Sequence, residues 1–510
     1  MNRANGPFLL GSDLGTSSCK SIVMDSRGSI RGWATKDYAT LRLRPGWAEQ
    51  DPEEWFQAFC ETVRRAIEQA QIDPAEIVIL CIVGITHNAV LLDENERPLR
   101  PSIIYTDTRS KAQADDLLQK WGDKVFKRTW NQVSPIWTWP QLEWLRTHEQ
   151  ETWGLVRRII FPKDYVRNCV APSLISDTID PAGSLLYDPC QGKWIADFYQ
   201  SLGLSEDVFP KIRSPWEIVG KVTKQAARAT GLAPGTNVIT GTTDTAAEVF
   251  GVGALHPGQA TIKLATVGRI TAISAKPIDN PSFLNYPHVL EGLWYPGTAT
   301  KFAASAFTWA RKAFWDDGEG PYDYQLMDQA AETVPPGSGG VLFHPYLAGE
   351  FAPSWDPYLK GSYLGVSVDH TRAHFTRAVM EGVGFAIRDA LESVIQMGLE
   401  VDEIRLLGGG TESKLWSQII TDIIGREAIL PVGTDAAYGA ALMAGVAAGI
   451  FDKTQATIDG LIKFQSRLCP DKARVALYND LFGIYQEAAI SMKEISHKLH
   501  GFQISTSSTE

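Results

Sequence analysis

The 510 residues contain no Gly-x4-Gly-Lys-Ser/Thr segment, and no Gly-x-Gly-x-x-Gly lies inside a strand–helix–strand unit. Both absences argue against the P-loop and dinucleotide-binding folds. Cysteine is scarce, with six residues at 19, 60, 81, 169, 190 and 469, and none forms a CxxC pair. Zinc-ribbon and dithiol motifs are therefore not expected, and scattered thiols fit a reducing compartment. The longest small and apolar run, 436–451, is too short and too glycine-rich for a membrane span. Residues 1–7 lack a secretory apolar segment, so a cytoplasmic protein without a membrane partner is expected. Lysine and arginine number 48 against 59 acidic residues, a net charge of -11, which argues against a nucleic-acid partner. Short-period repeats, heptads and low-complexity linkers are also missing.

What is present is concentrated in two glycine-marked turns. The first runs Gly11-Ser12-Asp13-Leu14-Gly15-Thr16-Ser17-Ser18-Cys19-Lys20 between two apolar strands. Such a hairpin sets backbone N–H groups and small hydroxyls where phosphate oxygens can sit, because glycine permits close approach. Asp13 beside it suits a magnesium ion that accompanies phosphates. The second turn, Gly408-Gly409-Gly410-Thr411-Glu412-Ser413, follows a strand and precedes a helix, aiming a helix N-terminus at a ligand. Two such turns suggest a nucleotide held between two lobes.

The chain exceeds one comfortable core, so two or more domains are expected. Residues 8–25 read as a hairpin. Asp51 is a suitable N-cap for a helix to about Ala70, with Pro52 at its first position. The continuous apolar run 77–83 reads as a strand buried on both faces. A short strand at 237–241 breaks into Thr242-Thr243-Asp244-Thr245, followed by a small-residue helix. The second half repeats this grammar: strands around a turn at 266–268, a helix from Arg372 to Met397, strand 403–407, a helix from Lys414 to Gly425, and an Ala/Gly-rich helix from about Asp435. Two related α/β lobes follow, 1–253 and 254–495, with a disordered tail over 496–510.

Several side chains carry candidate chemistry. Asp244 has two readings. It caps a helix, or it is the carboxylate that phosphoryl transfer to a hydroxyl requires. His87, after strand 77–83, and Asp107 and Arg109 offer donors and acceptors suited to a polyol; the alternative is a core histidine and a structural salt bridge. His370 and His374 have zinc-like spacing but no third ligand nearby, so a surface or capping role is expected.

At this point the residues resemble a known family, the FGGY carbohydrate kinases, and most of all its xylulokinase branch. The resemblance spans about 8–490. It rests on the hairpin at 11–20, Pro45-Gly46-Trp47-Ala48-Glu49-Gln50-Asp51-Pro52, the Tyr-x-Asp-x-Arg at 105–109, Phe161-Pro162-Lys163-Asp164-Tyr165, the Asp244 loop, the segment 345–357, Gly408-Gly409-Gly410 and Gly439-Ala440-Ala441. It implies two actin-like lobes of the ribonuclease H type with a catalytic cleft between them, the sugar mainly on the first lobe and ATP on the second. By the same resemblance Asp244 is the general base and Asp13 organises Mg2+. Gly15, Thr16, Ser17, Lys20, Thr266 and Gly268 serve the phosphates. Gly409, Gly410 and Ser413 lie along the nucleoside. Thr86, His87, Asp107, Arg109 and Thr245 face the sugar.

The sequence also departs from the branch. Gly84-Ile85-Thr86-His87-Asn88 stands where the branch usually reads Gly-Gln-Met-His-Gly, and Thr245 where it usually has Asn. Tyr105 replaces a common Trp. Ala265-Thr266-Val267-Gly268 loses a hydroxyl at Val267, and Arg269 follows. The expected activity is ATP-dependent phosphorylation of a ketose or related polyol, with D-xylulose or another pentulose as the first acceptor to consider. A homodimer is compatible with this reading. The alternative from another class is a non-catalytic, nucleotide-gated actin-like or sugar-sensing protein.

Overall fold

A computed structural model describes residues 6–316, 324–433, 435–452 and 459–507. The chain forms two compact units. The first comprises 1–255, 285–294 and 433–463; the second comprises 256–284, 295–432 and 464–510. The first sequence division, near 253, lies close to the observed one at Leu255. The Ala/Gly-rich segment from 433 nevertheless packs with the first unit rather than the second.

The first unit is built on a six-stranded sheet. Its strands are β1 (Phe8–Leu14), β2 (Ser18–Asp25), β3 (Ile30–Asp37), β4 (Ile77–Gly84), β5 (Ile218–Lys221) and β6 (Asn237–Ile239), in the order β5-β6-β4-β1-β2-β3. β1 and β2 pair antiparallel, while β4 runs parallel to β1 and to β6. Seven of the eight residues of β4 are buried, as expected of a central strand covered on both faces. Helix Pro52–Ala70 is capped by Asp51, whose side chain accepts from Glu53 N at 2.9 Å. Its buried Trp55, Phe59, Val63 and Ile67 recur every fourth residue and form the stripe that meets the sheet. Each such side chain contributes about 1.5–3 kcal/mol on burial.

The second unit repeats the plan with β7 (Gly258–Leu264), β8 (Gly268–Ala272), β9 (Gly297–Thr300), β10 (Val401–Leu407), β11 (Ala428–Pro431) and β12 (Phe464–Leu468), ordered β9-β8-β7-β10-β11-β12. Read from the other edge, the first four strands follow the order of the first unit, while the last two exchange places in chain order. Each unit is thus an α/β lobe of the ribonuclease H-like, actin-like type.

Close backbone packing explains why small residues recur in helix Ala436–Ala447. A Cβ on Gly11 of β1 would lie 2.2 Å from Ala437 O, and one on Gly439 would lie 1.9 Å from Ala247 O. Only glycine lets this helix lie against both the sheet and helix Asp244–Gly251. The tail expected over 496–510 is instead helical through Ser507, as the end of helix Lys472–Ser507; 508–510 fall outside the described residues. Tyr478, Phe482 and Tyr485 give this helix its buried anchor, which a tail read by composition alone would not show.

Among the described residues, no helix is long and apolar enough to cross a membrane. His374 completes a capping box with Thr371 at the start of helix Arg372–Gln396.

Candidate active site

In the first unit, β1 and β2 meet at a turn closed by Gly15 N donating to Ser18 O at 2.9 Å. Its outer edge is fixed by three neighbours. Gln50 Nε2 donates to Thr16 O at 2.7 Å, Tyr38 Oη donates to Gly15 O, and Thr16 Oγ1 lies 3.1 Å from Tyr105 Oη. Burial pushes the Tyr38 hydroxyl up, so it remains a donor. Lys20, opposite Asp13 in the strand pairing, reaches Asp435 Oδ2 at 2.7 Å. A Cβ on Gly15 would press on Ser18 O at 3.2 Å and stand in ordinary contact, 3.7 Å, with Asp13 Oδ2. A hard, oxygen-seeking cation such as Mg2+ fits this donor. Ser17 is exposed, and Thr16 and Lys20 are partly so.

The loop after β6 carries Asp244. Gly241 has φ +74, and a Cβ there would lie 1.9 Å from Ile82 O, so the loop is pressed onto β4. The helix cap is Thr243, whose Oγ1 accepts from Ala246 N at 3.2 Å. Asp244 is instead the first helical residue, partly exposed, and its Oδ1 accepts from Thr245 N at 2.5 Å. The capping reading of Asp244 is therefore corrected: the preceding hydroxyl does that work.

Beneath this loop lies a buried charge network that composition and spacing did not reveal. Lys163 Nζ contacts Asp164 Oδ1 at 2.6 Å, Asp177 Oδ1 at 3.0 Å and Asp180 Oδ2 at 3.6 Å. Arg167 shares Asp164 at 2.7 Å and donates to Thr240 O at 2.8 Å. Thr242 Oγ1 donates to the other Asp177 oxygen at 2.8 Å. Burial works against the Lys163 charge, but three carboxylates outweigh it and raise its pKa. Burial, with Asp177 and Asp164 close by, lifts Asp180 well above the usual carboxylate range. Asp164 was visible only as part of a motif; Asp177 and Asp180 carry no local signal, because the fold alone brings them to Lys163.

The same network reaches His87. Asp180 Oδ1 accepts from His87 N at 2.6 Å, and Thr138 Oγ1 donates to His87 O. The His87 backbone is left-handed at φ +50, its ring lies 4.9 Å from that of Trp137, and a Cβ on Gly183 would come within 2.4 Å of the ring. Burial pushes its pKa down to about 3, so the ring is neutral at ordinary pH. Thr86 beside it is partly exposed. Asp107 and Arg109 largely satisfy one another. Arg109 Nη2 meets Asp107 Oδ2 at 2.7 Å, Arg109 Nη1 meets Glu49 Oε1 at 2.6 Å, and the guanidinium lies 3.7 Å from the Trp47 ring centroid. Ala48 N also donates to Asp107 at 2.5 Å. This pair ties residues 45–50 to the 105–109 turn.

In the second unit, the hairpin turn 265–267 leaves Thr266 exposed, with its carbonyl accepting from Ala303 N at 3.1 Å and Ser305 Oγ at 2.5 Å. Gly268 lies under Thr300, whose Cγ2 would be 2.6 Å from a Cβ there. Arg269 is partly buried. The triple glycine does not pass straight into a helix. Gly408, at φ +93, brings its backbone against Leu264, and a 3-10 turn over Gly409–Glu412 intervenes. The helix begins at Lys414, capped by Ser413 Oγ, which accepts from Trp416 N at 3.0 Å. Gly409, Gly410 and Ser413 line a cavity of about 410 Å³ with Phe307, Tyr324 and Trp416. Phe307 stacks on Tyr324 at 5.7 Å and tilts against Trp416 at 5.1 Å. The glycines stand out in the sequence, whereas this aromatic wall is assembled from three separate segments that only the fold brings together.

Residues 8–251 match the FGGY family of carbohydrate kinases, N-terminal domain, and 266–448 match its C-terminal domain. The xylulose kinase of Escherichia coli (strain K12) is 33% identical over 473 residues, covering 92% of this chain and 96% of that protein. The crystal structure of xylulose kinase from Rhodospirillum rubrum superposes with a TM-score of 0.87 at 26% identity, covering 96% of this chain and all of that one. The gluconate kinase structure from Lactobacillus acidophilus also gives 0.87, at 25% identity, covering 95% and 98%.

Proposed function

Since this chain belongs to the FGGY family of carbohydrate kinases, we propose that it transfers the γ-phosphoryl group of ATP to a hydroxyl of a ketose or related polyol, a pentulose such as D-xylulose being the first acceptor to test. The observation that carries this reading is the placement of Asp244. Its loop is pinned to β4 and to a buried ion network, and Thr243 relieves it of capping.

In this reading Asp244 orients the acceptor hydroxyl and takes its proton as the oxygen attacks phosphorus. Thr16, Gly15 and the turn N–H groups of the first hairpin stabilise charge on the transferring group, with Thr266 and Gly268 of the second doing the same. Asp13 would hold Mg2+, which supplies positive charge to the phosphate oxygens. The aromatic cavity beside Gly409 and Gly410 suits the flat face of a nucleobase. His87, neutral and sequestered, serves as a hydrogen-bonding group toward the acceptor rather than as a cation. Thr86 and Thr245 add hydroxyls, and the Asp107–Arg109 pair holds the surrounding backbone.

The test is ADP release from MgATP across ketoses, polyols and their enantiomers, with Asp244→Asn as control. Acceptor-dependent release that is lost in the variant supports the kinase. ATP binding without stimulation by any acceptor would favour the nucleotide-gated, non-catalytic alternative.

A further inference from the structure

Asn88 is fully buried, and neither its Oδ1 nor its Nδ2 has a hydrogen-bond partner. A carboxamide offers two donors and two acceptor lone pairs. Leaving all of them unmet inside a protein is costly, and such groups are few in folded chains. The neighbouring His87 Nδ1 is equally unmet. The left-handed turn at His87 breaks the alternation that would send consecutive side chains to opposite faces of a strand. His87 itself is seated by Trp137, Gly183 and Asp180. Two adjacent buried residues thus present unspent hydrogen-bonding capacity next to the charge network that anchors the Asp244 loop.

The charge network joined to His87 through Asp180 is already matched. The buried cations Lys163, Arg167 and Arg109 all meet carboxylates. Lys163 and Arg167 share three carboxylates, Asp164, Asp177 and Asp180, so this part of the unit offers no spare positive charge to an anion.

We propose that Asn88 is a specificity-determining residue, whose carboxamide hydrogen-bonds to hydroxyl or carbonyl oxygens of an uncharged polyhydroxyl acceptor, and that this site selects against acceptors bearing a carboxylate. The inference rests on the sugar-kinase reading and narrows its substrate class. A carboxylate acceptor would lose water without gaining a cation, whereas a neutral sugar exchanges hydrogen bonds with water for hydrogen bonds with the amide.

The experiment compares wild type, Asn88→Ala and Asn88→Asp, using kcat and KM for a panel that includes D-xylulose and D-gluconate, together with Tm without acceptor. Wild type is expected to use neutral acceptors and to discriminate against D-gluconate by at least a hundredfold in kcat/KM. Asn88→Ala should lower kcat/KM for the best neutral acceptor tenfold or more, chiefly through KM, with Tm equal to or above that of wild type. Asn88→Asp should lose the same acceptor, because it keeps the shape but removes both donors. Acceptor kinetics within twofold of wild type in both variants would show that a structural water satisfies the amide, and would overturn the proposal. A clear fall in Tm for Asn88→Ala would make Asn88 a packing residue and overturn it too. Preference of wild type for D-gluconate would overturn the charge selection while leaving the kinase reading intact. Absence of turnover with every acceptor would overturn the kinase reading itself, and this inference with it.

Discussion

Lys163 Nζ lies 3.0 Å from one oxygen of Asp177, and the other oxygen of that carboxylate takes the Thr242 hydroxyl at 2.8 Å. A single buried ion pair thereby sets the height of the loop that ends in Asp244. Through Asp180 the same ammonium is connected to the backbone N–H of His87. The turn assigned to the acceptor and the loop assigned to the base therefore share one anchor. Removing Lys163 would leave buried Asp177 and Asp180 without a cation, while Asp164 keeps Arg167. Lys163→Met is expected to destabilise the protein by about 3–5 kcal/mol, read as a lower urea midpoint at unchanged slope. A loss below about 1 kcal/mol would mean that the pair is screened like a surface one.

Asp244→Asn keeps the side-chain shape and the acceptor for Thr245 N but cannot take a proton. Its kcat should fall by about 10²–10⁴-fold, while sugar binding measured by calorimetry stays near wild type. Turnover close to wild type would remove Asp244 from the role of base.

Gly409 has open space where a Cβ would stand, and its backbone is not left-handed. Gly409→Val therefore meets no protein atom within 4 Å of that Cβ, yet it projects from the cavity wall beside Phe307 and Trp416. KM for MgATP should rise about tenfold, equivalent to ~1.4 kcal/mol of binding, with thermal unfolding unchanged. An unaltered KM would place the nucleoside elsewhere.

Glu350 provides a pH test. It is buried and accepts from Thr300 Oγ1 at 2.8 Å, Lys301 N at 2.5 Å and Phe351 N at 2.7 Å. Burial nevertheless pushes it from the ordinary 4.5 up to about 7. Between those values the folded chain holds a proton that the unfolded chain has released, so stability is full below 4.5 and declines as pH rises to about 7. Glu350→Gln stays neutral throughout. The Tm of wild type minus that of the variant should fall across this window and level off above it. A difference independent of pH would show that Glu350 titrates alike in the folded and unfolded chains, with no upward shift.

Much of the fold was legible because its signals are local. The stripe Trp55, Phe59, Val63, Ile67 and the cap at Asp51 define one helix without help from the rest of the chain. The unbroken apolar run of β4 and the glycine turn between β1 and β2 likewise carry their own information, and so do the glycines that Ala437 and Ala247 would not let become alanine. Tertiary structure decided what depends on distant partners. Thr243 rather than Asp244 became the cap because the loop is held down by Ile82 and Asp177. Residues 433–463 joined the first unit because Gly11 and Gly439 let their helix approach it. Asp177 and Asp180 became part of an ion network only beside Lys163, and Trp416 part of a cavity wall only beside Phe307. Periodicity and capping act within a turn or two of chain, whereas burial, charge pairing and cavity walls are properties of residues that only folding brings together.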